Sequence, residues 1–272
     1  MAKISENDRN KFIEKISVYR TTIQVINKQE QDIISVVKKG NTDYGVKQLE
    51  LADLMLDLAS NYLIMSGISL SILGQKNEEM LNDARKSLYK SIIYIESIVT
   101  KLIDANYSEY EEQLEVIDTI TPEQRYRLIR KMGLTIQLVE NAYGDNTKWK
   151  WAFVDLEGRF AAVAKNIINL RDYFINSDPG SQFYEPTVFH LRLSKKLLEQ
   201  AATRFREKYE LSTNQIDDFK TGIQFLSALK RLNFLTGDQL DAEITKKKLD
   251  TWTNKLASDI NKQEKPPSGR KG

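Results

Sequence analysis

Residues 6–38 read ENDRNKFIEKISVYRTTIQVINKQEQDIISVVK, and within them Phe12, Ile16, Tyr19, Ile23, Ile26, Ile33 and Val37 step by 4, 3, 4, 3, 7 and 4. Apolar residues at that period line one stripe of an α-helix and would scatter over both faces of a strand. Glu30 occupies the seam position that the step of 7 passes over, and Lys15, Arg20, Lys28 and Gln29 fall between seam residues. Such a stripe packs either on the rest of its own domain or against another copy as a coiled coil, and the stretch itself leaves both open. Gly40, Asn41 and Gly45 are expected to end the helix.

The same period continues downstream. A second helix is expected from about Val46 to Leu73, with Leu49, Ala52, Leu56, Ala59 and Leu63 on one face. Leu51, Leu54, Met55, Leu58 and Tyr62 widen that face until it needs cover on more than one side. Gly74 closes this helix, and Asn77, with Glu78 and Glu79 in the next turn, caps a third that reaches about Ile103. Asn106 to Ile120 holds five acids (Glu109, Glu111, Glu112, Glu115, Asp118) and no Lys or Arg, as a solvated linker or short helix would. Thr121, Pro122, Glu123 and Gln124 then form a capping box with proline at the first helical position. That fourth helix ends near Gly144, and Asp145 or Asn146 is expected to cap a fifth. Ser177, Asp178, Pro179 and Gly180 make a turn. Further helices follow over about 186–209, 214–235 and 238–262.

The fold class expected is therefore all-α, an elongated antiparallel helical bundle or stack of helical hairpins with about eight helices. Residues 1–105 are expected to form an N-terminal bundle with a long first helix, 106–121 an acidic linker or short helix, 122–263 a C-terminal bundle and 264–272 a disordered tail. Twelve Gly and five Pro in 272 residues agree with long, seldom interrupted elements.

Leu58, Ala59 and Tyr62, followed by Ala84, Leu88 and Ser91, resemble the paired-helix pattern of tetratricopeptide repeats over about one hairpin. The interval from Tyr62 to Ala84 is longer than in a regular repeat. Ala201, Phe205 and Lys208 echo the second-helix pattern once more. The resemblance implies stacked hairpins that bind other proteins on a concave face.

Little of the usual catalytic equipment is present. The chain has no cysteine, which excludes thiolate nucleophiles, thiolate metal sites and disulfides. His190 is the single histidine, set in the apolar stretch Thr187, Val188, Phe189, His190, Leu191 as a hydrogen-bonded core residue would be. Asp53 and Asp57 share a helix face and make the best carboxylate pair on offer, read as a solvated face or an ion pair. Neither glycine-rich phosphate loops nor a Gly-x-Ser-x-Gly elbow occurs. No enzyme activity, cofactor or metal is expected.

The function expected is instead a structural or adaptor protein, a protein–protein interaction scaffold within a larger assembly of the bacterial type. Candidate contact residues are Lys148, Trp149, Lys150 and Trp151, because tryptophans at alternate positions of a helix cannot both face one core, and Trp151 is expected to be the more accessible. Arg125, Arg127, Arg130 and Lys131 form a basic cluster, and Glu109, Glu111, Glu112 and Glu115 an acidic one. Residues 1–121 hold 14 Lys and Arg against 19 Asp and Glu, and residues 122–272 hold 26 against 19. The halves can attract one another or a second copy, so a homo-oligomer through the first helix or through the charged halves is open. The basic half also suits an acidic protein, a nucleic acid or an anionic membrane face. Nucleic-acid binding ranks below protein binding, because acids interrupt the basic groups repeatedly. A carboxylate-based enzyme ranks last. The polar Met1 to Lys11 stretch lacks a secretory leader's apolar run, the acids and asparagine within Leu49 to Leu73 suit a buried helix better than lipid, and the expected location is cytoplasmic.

Overall fold

The computed structural model describes residues 4–37, 40–144 and 147–264. The fold is all-α, with no strand among the described residues. In chain order the helices are α1 (Glu6–Val36), α2 (Tyr44–Leu73), α3 (Glu78–Glu96), α4 (Glu111–Leu114), α5 (Pro122–Tyr143), α6 (Lys150–Asn166), α7 (Leu170–Asn176), α8 (Tyr184–Lys208), α9 (Ile216–Leu235) and α10 (Gln239–Glu264). Eight of the ten answer to the eight expected, α4 is a short helix within the acidic segment, where a linker or short helix was expected, and the short α7 is an addition.

Local chemistry accounts for several boundaries. The Thr121 hydroxyl accepts from the Gln124 amide while the Gln124 side chain accepts from the Thr121 amide, the reciprocal box that starts α5. Asn77 accepts from the amide of Met80 at the start of α3, and Gly74 takes the left-handed conformation that ends α2. Three expectations need correction. The third helix stops at Glu96 instead of Ile103. Trp149, with no side-chain cap bond, precedes α6; the expected caps Asp145 and Asn146 lie outside the described residues, as does the tail from Lys265 onward. Gly45 does not terminate the first helix but sits in the first turn of α2, where a Cβ would stand 2.2 Å from the carbonyl oxygen of Val116.

Three apolar clusters hold the bundle. Ile16, Ile23 and Ile26 of α1 pack on Met55, Leu58 and Met65 of α2, so the heptad seam is covered by its own chain. The largest cluster joins α2, α3, α5 and α6, and Tyr110, Leu114 and Ile117 of the acidic segment are buried within it. The apolar interior is thus continuous across 106–121, although Glu109, Glu112 and Glu115 are exposed. The third cluster lies among α6, α8, α9 and α10, with Phe219 stacked on Tyr209 at 5.0 Å and packed on buried Trp252. Helix α6 serves both larger clusters, giving Phe153, Leu156 and Phe160 to one and Val154 and Ala161 to the other. Burying each such phenylalanine contributes roughly 1.5–3 kcal/mol, which makes α6 the axis of the molecule.

Among the described residues α2 alone is long and apolar enough to cross a membrane by length and composition. Its packing gives a second reason for that composition. It is held between α1, α3 and α5, with Ala52, Met55, Leu56 and Ala59 fully covered. The Ser91 hydroxyl of α3 donates 2.8 Å to the carbonyl oxygen of Ala52, pinning the α2–α3 hairpin from inside.

Candidate functional site

Helices α5 and α8 run parallel and pack directly on one another, and α6 lies antiparallel beneath them. At one end Tyr126 of α5 meets Phe189 and His190 of α8, with ring centroids 6.4 and 6.0 Å apart. At the other end Arg204 of α8 pairs with Glu140 of α5 at 2.9 Å and with Glu157 of α6 at 3.0 Å. Gly133 lets the helices close on the floor, since a Cβ there would stand 3.1 Å from the ring of Phe160. A cleft of about 1190 Å³ remains between α5 and α8.

The cleft is apolar in its middle and charged at its ends. Leu134, 58% exposed, and the half-buried Leu193 and Leu197 form its walls, and Phe160 its floor. Arg127 and Arg130 stand toward the α5 N-terminus and Lys196 lies between Leu193 and Leu197 on the α8 wall, all exposed and with no ion pair to a described residue. Lys131 lies beside them but is bound to Asp53 at 2.7 Å and Asp57 at 2.8 Å. The carboxylate pair singled out in the sequence is therefore the counter-ion of Lys131. At the far end burial pushes the Glu157 carboxyl up to about 7, with Arg204 working against the shift and Glu140 reinforcing it.

Of the four basic candidates, three fall on this cleft. Arg127 and Arg130 line it, Lys131 lines it already paired, and Arg125 does not reach it. Arg125 is 3% exposed and donates to the carbonyl oxygens of Ile117 (2.8 Å), Ile120 (3.1 Å) and Ile167 (3.2 Å), so its assignment to a contact surface is corrected to an internal tie. Positions two apart on a helix differ by about 200°, which separates buried Arg125 from exposed Arg127.

The tryptophan segment is divided between cores. Trp149 and Trp151 are both half-buried, Trp149 against the largest cluster and Trp151 against the α6–α8–α9–α10 cluster. The Arg85 guanidinium lies 4.3 Å over Trp149, and Lys148 and Lys150, both exposed, stand 5.4 and 5.0 Å over Trp149 and Trp151. Among the acidic candidates, the half-buried Glu111 pairs with Arg171 at 3.1 Å.

His190 is buried and bonded through Nε2 to the carbonyl oxygen of Ala164 at 3.0 Å, with the Ser194 hydroxyl on the same oxygen. Burial pushes its imidazole down to about 4, so the ring is neutral at pH 7 and Nε2 is the donor. No cluster of three metal-ligating side chains occurs among the described residues. The cleft residues Leu134, Leu193, Leu197, Glu157 and Arg204 were not singled out as a site from sequence. One signal was present: α5 buries Leu128, Met132, Ile136 and Val139 yet also carries Leu134 and Leu138 on another face.

A family model matches residues 8–260, from the first turn of α1 to the last turns of α10. The chain belongs to the TP0443 family. No curated protein and no solved structure matches it. Because the match runs through all ten helices, the α5–α8 cleft lies wholly inside the portion that this TP0443-family chain shares with the family model.

Proposed function

We propose that this chain is a non-catalytic adaptor that docks an amphipathic helix of a partner protein, acidic toward one end, in the cleft between α5 and α8. The observation that carries this reading is the open apolar trough itself. Two parallel helices in contact over an antiparallel floor leave an open groove along their seam, on which a further helix can lie. From Arg127 to Glu140 the trough is about 20 Å long at 1.5 Å per residue, room for roughly 13 residues of helix. A helix laid there would bury its i, i+3 and i+4 apolar residues on Leu134, Leu193 and Leu197. Arg127, Arg130 and Lys196 would meet its acids.

Ion pairing within the chain argues for a protein over a nucleic acid as the ligand. Lys195 is engaged by Asp238, Arg206 by Glu210, Lys208 by Asp155 and Asp218, and Lys248 by Glu199. Phosphate tracking needs many uncommitted cations along one surface.

The test is co-purification from the native source with Leu134→Asp and Lys196→Glu, both at exposed positions, and Val18→Asp on α1 as control. A partner held by the wild type and the α1 variant but lost by both cleft variants supports the proposal. A partner held equally by all four proteins, or none held by any, removes it.

A further inference from the structure

Lys165, in the last turn of α6, is 5% exposed and is the one buried lysine among the described residues. Its ammonium makes no hydrogen bond or ion pair with a described residue. The Tyr110 ring lies 5.5 Å from Nζ, and Asp104, Glu109 and Arg231 are the charged groups that act on it. Asp104 is itself engaged by Arg231, whose Nε donates to it at 2.8 Å. Lys165 lines a cavity of about 20 Å³ with Tyr107, Tyr110, Leu170, Arg231 and Leu235. Leu235 and Arg231 are partly exposed, so the cavity reaches the surface.

An ammonium on so largely covered a side chain, without a hydrogen-bond partner in the described chain, is costly, and the chain can relieve the cost by releasing the proton. Burial holds Lys165 down at about 8, with Arg231 pushing the same way and Asp104 and Glu109 opposing. About half of the amine is then neutral at pH 8, against well under about 1% for a lysine at its ordinary value. The neutral amine is a nucleophile, and a cavity of this size, ample for about one water, admits only a reagent of a few atoms.

We propose that Lys165 is a carbamylation site that takes up carbon dioxide, with Arg231 as the countercharge of the product. The Nζ lone pair attacks the carbon of carbon dioxide, a C–N bond forms, and one C=O pair moves onto oxygen. The nitrogen then loses one proton to water, leaving the carbamate anion and a hydronium ion. The step replaces a poorly solvated cation by an anion in a cavity that Arg231 also lines, where the guanidinium is shared with Asp104.

The experiment equilibrates the full chain with ¹³C-bicarbonate at pH 8 and fixes carbamates as ethyl esters with triethyloxonium. Labelled peptides are mapped by mass spectrometry, with a peptide bearing a free α-amine as positive control in the same tube. The expected result is label at Lys165 and none in Lys165→Met, a volume-matched apolar replacement that removes the unpaired charge. Arg231→Gln is expected to lower the label at Lys165 roughly three- to tenfold, because it removes the countercharge and lets the amine regain its proton. Trapping on the control peptide without label at Lys165 of the wild type overturns the proposal, and the mapping needs no variant to fold.

Discussion

The hydroxyl of Tyr94 donates a 2.5 Å hydrogen bond to Oε1 of Glu30, joining α3 to α1 across 64 residues of chain. Glu30 is the residue that interrupts the heptad seam. It is buried, and its other oxygen accepts from Lys90 at 2.7 Å. A carboxylate in an apolar seam is tolerated only when its lone pairs are satisfied, so Tyr94 and Lys90 set the register of α1 on the hairpin. Burial first, and Glu30 next, push the Tyr94 phenol above the usual tyrosine range, which keeps it a donor at any ordinary pH.

Tyr94→Phe is therefore expected to destabilise the protein by about 1–3 kcal/mol, the range for a hydrogen bond to a charged acceptor. Glu30→Leu, which restores the seam, should remove most of that sensitivity. The measurement is a double-mutant cycle by urea denaturation. Additive effects of the two changes would show that the bond does not hold α1 in place.

Arg125 invites a similar test. Its three carbonyl partners come from the loop before α5 and from the end of α6, so one side chain fastens the acidic segment to the axis of the bundle. Burial lowers its ordinary value while the carboxylates Asp172 and Asp118 oppose that. Arg125→Met keeps the length of the side chain and leaves buried carbonyl oxygens without donors, at an expected cost of about 3 kcal/mol. Arg127→Met, one face away, should shift the urea midpoint little. Equal effects at the two positions would return Arg125 to the surface.

How far the sequence could be read depends on how local each signal is. The α5 start is legible because Thr121 and Gln124 complete the capping box within four residues. The seam of α1 is legible because its period belongs to one helix, although its partner on α2 is not named by it. Gly45 illustrates the opposite case. As a glycine near another glycine it reads as a helix stop, whereas its role is set by Val116, a neighbour 71 positions away. The cleft is hidden for the same reason. Leu134 looks like any apolar residue of an amphipathic helix until α8, some 60 residues on, is placed beside α5 and leaves it uncovered. Charge counts by halves likewise miss that most basic residues of α8 are neutralised by named acids.

Glu157 gives a prediction whose sign can be worked out. Its carboxyl stands at about 7 in the folded chain against 4.5 for the unpaired group, chiefly because burial disfavours the charge. Below about pH 4.5 both states hold the proton and the group has no effect on the slope. Between about 4.5 and 7 the folded state binds more protons than the unfolded one, so stability falls as pH rises, and above 7 the loss is complete. Glu157→Gln places a neutral isostere at the same spot, with Glu140 still available to Arg204 at 2.9 Å. The stability of Glu157→Gln relative to wild type should thus rise between pH 4.5 and 7 by about 1–3 kcal/mol and level off above that. Taking the difference between the two proteins cancels the other titrating groups, and urea midpoints from pH 4 to 8.5 supply it. A flat difference across that range would mean that the Glu157 carboxylate is as well solvated or paired in the cleft wall as in the unfolded chain, and that the charged end of the trough carries no buried cost.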